Sequence, residues 1–190
     1  MAELTLHRET TALLIVDVQE RLASAMVDDA RERCVANVAR LVRGAGLLHV
    51  PIVVTEQYPK GLGRTVAPVL EALAEAPATP DIVEKIEFDA CRNPGFGEVL
   101  RAGVAGRTLV LCGMEAHICV WQTARGLVSQ GFSVHIPIDA TCSRDPDNRR
   151  IAEGLWRQAG AVVTCTETVL FDLVGSATGD VFKAISHMVR

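Results

Sequence analysis

This chain of 190 residues has few aromatic side chains, no long apolar stretch and no excess of positive charge. Aromatic residues make up 4% of it although 49% is hydrophobic, so Ala, Val, Leu and Ile must form most of a core. The formal net charge of −4 at pH 7 provides no positive field for a nucleic acid or an anionic membrane surface. We therefore predict a small-molecule substrate and neither nucleic acid nor membrane as a partner.

The sequence also lacks obvious targeting signals. No apolar run approaches the roughly 18 residues that a membrane-spanning helix needs. Residues 1–10 lack the charged start, apolar stretch and small-residue cleavage site of a secretory signal. The six cysteines show no Cys-x-x-Cys spacing of a zinc or redox motif. We predict a cytoplasmic location with reduced cysteines.

Metal and cofactor motifs are missing as well. The five histidines are scattered without the spacing of metal ligands. No Gly-x-Gly-x-x-Gly motif, which would indicate dinucleotide binding, follows the first apolar segment. The sequence therefore predicts no metal and no cofactor.

Apolar runs alternate with segments of helical spacing along the chain. Runs typical of strands buried on both faces are found at 11–16, 50–55, 108–111, 132–138 and 161–164, with a weaker candidate at 82–86. Helical spacing is found at 30–45, 65–75, 97–105, 118–130, 147–158 and 178–189. Repeated strand and helix predict one doubly wound α/β domain over residues 1–190, with a mostly parallel sheet covered on both faces.

Chemically active side chains follow the predicted strands at their carboxyl ends, where open parallel sheets bind ligands. Asp17 follows the first strand, Lys85 lies near the end of the third, and Cys119 follows the fourth. Acyl transfer needs a nucleophile, a proton acceptor and a cation that holds the thiolate. The three residues together therefore form a candidate catalytic set.

Cys119 has two interpretations on sequence grounds. The segment GMEAHICV places it in the first turn of a helix, where unpaired N–H groups favour a thiolate, and Lys85 would add to this effect. Apolar residues of that helix cluster on the opposite face, so Cys119 lies off the apolar stripe. A small buried side chain is the other interpretation. Asp17 could likewise serve only as an acceptor for loop N–H groups.

The motifs IVDVQ, EKIEF and GMEAHICV together resemble the isochorismatase-like hydrolases, a family that includes nicotinamidases and N-carbamoylsarcosine amidohydrolases. The resemblance runs from about residue 11 to residue 172. It implies a six-stranded parallel sheet with helices on both faces. It also implies a homo-oligomer, as a dimer, a tetramer or a larger assembly.

The same resemblance implies roles for individual residues. Asp17 is similar to the general base of the family, Lys85 to its catalytic lysine and Cys119 to its nucleophile. A cis peptide bond would join Met114 to Glu115, and the backbone N–H groups of Glu115 and Cys119 would form an oxyanion hole. The implied reaction is hydrolysis of a small amide-type substrate through a thioester acyl-enzyme.

The segment after the second strand departs from the pattern of metal-dependent nicotinamidases. Those enzymes carry Asp-x-His-x-x-His there, whereas this chain reads TEQYPKGLG without an imidazole. The departure predicts a metal-independent enzyme and argues against nicotinamide, and the cysteine nucleophile argues against the isochorismatase reaction. Possible substrate-pocket residues are Gln19, Glu56, Gln57 and Tyr58, although an ordinary polar loop is equally compatible.

Two other classes of function stay open at this point. A catalytically silent binding or scaffold protein could retain the fold without turnover. A thiol redox enzyme would need a resolving cysteine close to Cys119, and Cys91 and Cys142 are the candidates.

Overall fold

A parallel β-sheet lies at the centre of the protein, whose computed structural model describes residues 3–103 and 108–190. Within this part of the chain the sheet has seven strands, in the order β3-β2-β1-β4-β5-β7 with β6 paired to β4. Each of these strand pairings is parallel. The strands are β1 (Thr11–Val16), β2 (Ile52–Gln57), β3 (Asp81–Lys85), β4 (Thr108–Met114), β5 (Ser133–Pro137), β6 (Thr141–Cys142) and β7 (Val162–Thr164).

Helices connect the strands. Single turns of 3-10 helix lie at Ala90–Arg92 and Ile138–Ala140, and a π-helical turn lies at Ala116–Val120. The α-helices are α1 (Glu20–Ser24), α2 (Asp28–Leu48), α3 (Pro59–Leu62), α4 (Ala67–Ala74), α5 (Pro94–Gly103), α6 (Trp121–Ser129), α7 (Pro146–Ala159), α8 (Thr166–Val174) and α9 (Gly179–Met188). Among the described residues, no helix combines the length and the apolar character needed to cross a membrane.

Side chains of β1 alternate between two hydrophobic clusters, one on each face of the sheet. Leu13 and Ile15 pack with side chains of α2, α4 and α8. Leu14 and Val16 pack with side chains of α5, α6 and α7. All positions of β1 are buried, which explains why its sequence is an apolar run from Ala12 to Val16. This arrangement confirms the predicted doubly wound α/β fold.

Differences from the predicted elements are local. The predicted six strands correspond to the main order of the sheet, and the seventh, β6, has only two residues, too few to show any periodicity. Helices α1 and α3 were not predicted for the same reason, since they have five and four residues. Helix α8 was also missed. The predicted helix 97–105 begins earlier, at Pro94, and its residues 104–105 lie outside the described residues.

The strand order reverses between β1 and β4, and this creates a crevice beyond their carboxyl ends. Gly113, near the end of β4, has a φ of 123°, and a Cβ there would collide with the carbonyl oxygen of Val16. Only glycine therefore lets the two strand ends approach this closely. Asp17, directly after β1, adopts the left-handed conformation with a φ of 53°. The residues that follow β1 and β4 thus lie close together at this crevice.

Candidate active site

Asp17 and Lys85 form a buried ion pair across three neighbouring strands. The distance from Lys85 Nζ to Asp17 Oδ2 is 2.6 Å, and both side chains have 0% exposure. The Thr55 hydroxyl on β2, between them in the sheet, donates to Asp17 Oδ1 at 2.7 Å. Both carboxylate oxygens therefore have a partner, which offsets the cost of burying the charge.

The Lys85 ammonium has all three of its N–H donors engaged within the protein. Besides Asp17, it donates to Gln57 Oε1 and to the Glu87 carbonyl oxygen, each at 3.1 Å. The ammonium is therefore fixed beside Asp17, and in this arrangement no Lys85 donor is left over for a ligand.

Cys119 lies beside this pair and is buried, with 5% exposure. The thiol and the Asp17 carboxylate are near enough that each affects the pKa of the other. Burial and the negative charge of Asp17 raise the pKa of the Cys119 thiol to about 12, although Lys85 acts in the opposite direction. Burial also raises the pKa of the Asp17 carboxyl above its ordinary value, against the opposing effects of Lys85 and Thr55. At neutral pH the resting side chain of Cys119 is therefore a protonated thiol.

The protonated thiol differs from the thiolate that the sequence suggested, and the local structure explains why. Cys119 lies in the π-helical turn Ala116–Val120, and α6 begins only at Trp121. The sequence pattern had placed Cys119 in the first turn of a regular helix. In the structure, desolvation and the adjacent carboxylate outweigh the cation. Ionisation of the thiol thus requires transfer of its proton to a neighbouring base.

The turn before Cys119 contains the predicted oxyanion donors. The peptide bond between Met114 and Glu115 is cis, as the family resemblance implied. The Glu115 carbonyl oxygen accepts N–H groups from Ile118 at 3.0 Å and from Val120 at 3.2 Å. The Cys119 N–H lies between these two donors in the chain. A role of the Glu115 and Cys119 N–H groups as an oxyanion hole stays a prediction.

The side chain of Glu115 is held by a residue that the sequence did not indicate. Its carboxylate accepts the Arg144 backbone N–H at 2.9 Å and the Arg144 Nε at 3.1 and 3.2 Å from its two oxygens. Directly before Arg144, the Ser143 hydroxyl lies 3.0 Å from His117 Nδ1. A segment beyond β6 thus holds the turn that contains Cys119.

Gln19 and Gln57, two predicted pocket residues, bind each other rather than facing an open space. Gln57 donates its backbone N–H to Gln19 Oε1 at 2.7 Å, and Gln19 Nε2 donates to the Gln57 carbonyl at 3.0 Å. Gln57 Nε2 donates to the Ile86 carbonyl at 2.9 Å. The amide groups of both side chains are therefore engaged in supporting the loops around Lys85.

Glu56 and Tyr58, the other two predicted pocket residues, differ in their surroundings. The Glu56 carboxylate is buried and accepts the Thr65 N–H and hydroxyl, each at 2.8 Å, and Arg64 at 2.7 Å. It supports the loop before α4. Tyr58 is 55% exposed, and its backbone N–H donates to the Lys85 carbonyl at 2.8 Å. Of the four residues, Gln19 and Glu56 are thus buried, Gln57 is partly buried, and Tyr58 has an exposed side chain.

The other cysteines do not form a disulfide with Cys119, because all six are free thiols. Cys142 lies with Cys34 in the hydrophobic cluster on the opposite face of the sheet, where it raises the pKa of the Cys34 thiol. Cys91 packs on the same face as Cys119, and its thiol lies 3.9 Å from the Thr123 carbonyl oxygen. Over residues 3–103 and 108–190, no group of three or more His, Cys, Asp and Glu side chains is placed to hold a metal ion.

Comparisons with known proteins identify the family of this chain. The family model described as "Isochorismatase domain" matches residues 11–168. The chain is 35% identical over 183 residues to Isochorismatase family protein 1B of Dictyostelium discoideum, a match that covers 96% of this chain and 87% of that protein. It is also 35% identical over 181 residues to Isochorismatase domain-containing protein 2 of Bos taurus, with 95% and 83% covered.

Two solved structures share the fold closely. One is described as MAR1 ribonuclease from Caenorhabditis elegans, with a TM-score of 0.88, 33% identity, and coverage of 97% of this chain and 92% of that one. The other is YcaC from Pseudomonas aeruginosa with hexane-2,5-diol and covalent acrylamide, with a TM-score of 0.89, 25% identity, and coverage of 99% and 93%. The family model and these relatives together show that the chain belongs to the isochorismatase family of isochorismatase-like hydrolases.

Proposed function

We propose that this protein is a cysteine-dependent hydrolase that cleaves the C–N bond of a small amide-type substrate. The observation that carries the proposal is the buried Asp17–Lys85 pair, at 2.6 Å, in contact with a thiol whose ionisation needs a base. A nucleophile, a base and a cation that orients the base are the parts that acyl transfer requires. Acrylamide is an electrophile that thiols attack at its vinyl carbon, so the covalent acrylamide described in the Pseudomonas aeruginosa relative supports a reactive nucleophile in this fold.

The proposed first step is attack of Cys119 Sγ on the substrate carbonyl carbon. Asp17 accepts the thiol proton as the S–C bond forms, and its raised pKa makes it a stronger base than an ordinary carboxylate. The backbone N–H groups of Glu115 and Cys119 stabilise the oxyanion. The C–N bond then breaks, and the amine leaves with the proton from Asp17.

The second step releases the acyl group from the thioester. Asp17 accepts a proton from water, the resulting hydroxide attacks the thioester carbonyl, and the C–S bond breaks. The proton returns to the sulfur, so the thiol and the carboxylate are regenerated while the acid product leaves. Lys85 transfers no proton in either step and keeps Asp17 oriented through the buried ion pair.

The experiment is a panel of uncharged amides and carbamoyl compounds assayed with the wild-type protein and with Cys119→Ala. We expect turnover by the wild type and a loss of about 10³-fold or more in the variant, the scale seen when a catalytic nucleophile is removed. Cys165→Ala is the matched control, since its partly exposed thiol lies 3.1 Å from the Thr168 hydroxyl in α8 rather than beside Asp17. Wild-type turnover that survives in Cys119→Ala would exclude Cys119 as nucleophile.

Competing functions are tested in the same panel. A scaffold protein would turn over none of the compounds, and a thiol redox enzyme would form an internal disulfide with peroxide, visible as a loss of 2 Da by intact mass. Because the C. elegans relative is described as a ribonuclease, the panel includes single-stranded RNA; the net charge of −4 argues against RNA as a substrate.

We also propose that catalysis needs neither metal nor cofactor, so activity should survive extensive dialysis against EDTA.

We further propose that residues 1–190 form one catalytic domain that assembles into a homo-oligomer. The edge strand β3 exposes Ile82 at 48%, and beyond it Ile86 and Phe88 are exposed at 74% and 53%. Exposed apolar side chains beside an open sheet edge are typical of a subunit interface. A monomeric mass by light scattering would contradict the proposal.

Six free thiols agree with the proposed cytoplasmic location, which cell fractionation tests.

A further inference from the structure

Two segments that are far apart in sequence run side by side at the candidate site. Strand β6 pairs with the end of β4, so that Met114 lies opposite Cys142. The residues that follow each strand then contact each other, first through Glu115 and Arg144 and then through His117 and Ser143. The turn that contains Cys119 is therefore held along its length by one neighbouring segment.

The contact between Glu115 and Arg144 is the most extensive of these. The Glu115 carboxylate accepts the backbone N–H, Nε and a terminal nitrogen of Arg144, at 2.9 to 3.2 Å. The Glu115 side chain is 4% exposed, whereas that of Arg144 is 59% exposed. A bidentate guanidinium fixes the plane of a carboxylate as well as its distance. The orientation of the Glu115 side chain, and of the backbone that carries it, thus depends on Arg144.

The pair also affects the charge near the nucleophile. The negative charge of Glu115 is among the causes that raise the pKa of the Cys119 thiol, after burial and Asp17. The guanidinium of Arg144 neutralises this carboxylate through direct contact. Removing either partner therefore changes the charge that Cys119 experiences, and the two removals change it in opposite directions.

We propose that Glu115 and Arg144 form a positioning pair for the oxyanion donors of the Glu115–Cys119 turn, an inference that rests on the proposed function. The carboxylate is an anchor through which Arg144 holds the turn, while the backbone N–H groups of that turn bind the reacting oxygen. Arg144 touches neither the substrate nor the sulfur in this scheme. It acts through Glu115.

The experiment uses two small probes of Cys119 and requires no knowledge of the physiological substrate. Iodoacetamide alkylates the thiolate, so its rate against pH reports ionisation of Cys119. Acetaldehyde adds reversibly: the S–C bond forms, the thiol proton passes to the carbonyl oxygen, and that oxygen occupies the oxyanion hole. Protection of Cys119 from iodoacetamide by acetaldehyde then gives the affinity for a tetrahedral adduct. Peptide mapping identifies the modified cysteine.

We expect Arg144→Met to slow alkylation by about tenfold, equivalent to a rise of one unit in the thiol pKa. We expect Glu115→Gln to accelerate alkylation, because it removes a negative charge from the neighbourhood of Cys119. Both variants should weaken acetaldehyde protection by about tenfold or more, because both loosen the oxyanion donors. Opposite effects on ionisation with equal effects on the adduct are not expected of an ordinary structural ion pair.

Two control variants distinguish a specific role of the Glu115–Arg144 pair from a general effect of removing an ion pair. Arg43→Met removes a bidentate partner of Glu75, far from the site beside the amino end of β2, and should match the wild type within about twofold in both assays. Arg144→Lys retains the charge but loses the bidentate geometry, so it should keep alkylation near the wild-type rate while protection by acetaldehyde stays weakened. Variants of Glu115 and Arg144 that behave like Arg43→Met would overturn this inference alone. Absence of acetaldehyde protection in the wild type would overturn the oxyanion hole and the positioning role together.

Discussion

The protein contains two buried carboxylates near Cys119, and their surroundings differ in an instructive way. Asp17 is paired with Lys85 inside the sheet, where both side chains have 0% exposure. Glu115 is paired with Arg144 between two loops, where the guanidinium side chain is 59% exposed. The first pair is shielded from water and connects three strands. The second lies partly in solvent and connects segments that only the fold brings together.

This comparison indicates different tasks for the two pairs. A pair without access to water keeps a strong mutual interaction, so the Asp17–Lys85 pair suits proton transfer at a fixed position. A pair with one exposed partner contributes less to stability and more to orientation. We expect substitutions in the two pairs to separate these effects.

The largest effect is expected for Lys85→Met. Removing the ammonium leaves the Asp17 carboxylate buried without its cation, which costs about 3 to 5 kcal/mol of unfolding free energy. Urea denaturation at pH 7 measures this loss. The double variant Asp17→Asn, Lys85→Met should recover part of it, because it removes the uncompensated charge. A loss below about 1 kcal/mol in the single variant would contradict the buried pair.

A smaller loss is expected for Arg144→Met, about 1 to 2 kcal/mol, because the Glu115 carboxylate loses its cation but can still accept the backbone N–H of residue 144. The same urea denaturation measures it. A loss equal to that of Lys85→Met would remove the distinction between the two pairs.

The pH dependence of stability tests the environment of Asp17. Since burial raises its pKa above the ordinary value of 3.8, the folded state binds this proton more tightly than the unfolded state does. The contribution of Asp17 to stability is therefore fully present below 3.8 and is lost as pH rises through the folded pKa. The unfolding free energy of the wild type relative to Asp17→Asn should thus fall as pH rises from 3.8 towards neutrality. An increase would contradict the raised pKa.

The smallest effect is expected for Thr55→Val, which keeps the side-chain shape and removes one hydrogen bond to Asp17 Oδ1. We expect a loss of about 1 kcal/mol in urea denaturation. Because Lys85 still holds the other oxygen, catalysis should fall far less than in Lys85→Met. Equal losses of activity in the two variants would indicate that both carboxylate oxygens need a fixed partner.

Much of the fold could be predicted because local patterns reflect burial. Strand β1 is apolar at every position after Thr11 because both faces of the sheet are covered, and its predicted bounds agree with the structure. Strand β6 and helices α1 and α3 could not be predicted, since elements of two to five residues carry no measurable period. The π-helical turn at Cys119 was missed because its sequence continues smoothly into α6.

In the candidate site, too, some residues could be predicted from local sequence and others could not. Gln19, Glu56 and Gln57 were chosen as polar residues near a strand end, but the hydrogen bonds that engage them depend on the path of the 56–65 loop. Thr55 had a usable signal, because it is the last residue of the predicted strand 50–55, and in the structure it pairs with Val16 at the end of β1. Arg144 had none, since nothing in its local sequence relates it to Glu115.

By itself, the sequence determined that an acid, a lysine and a cysteine lie at or after the ends of separate strands of one parallel sheet, because residue type and apolar periodicity are local properties. Only the tertiary structure decided that Asp17 and Lys85 are fully buried together, that the Cys119 thiol is protonated at rest, and that Arg144 holds Glu115. Burial and charge pairing depend on distances between remote segments, and those distances exist only once the chain has folded.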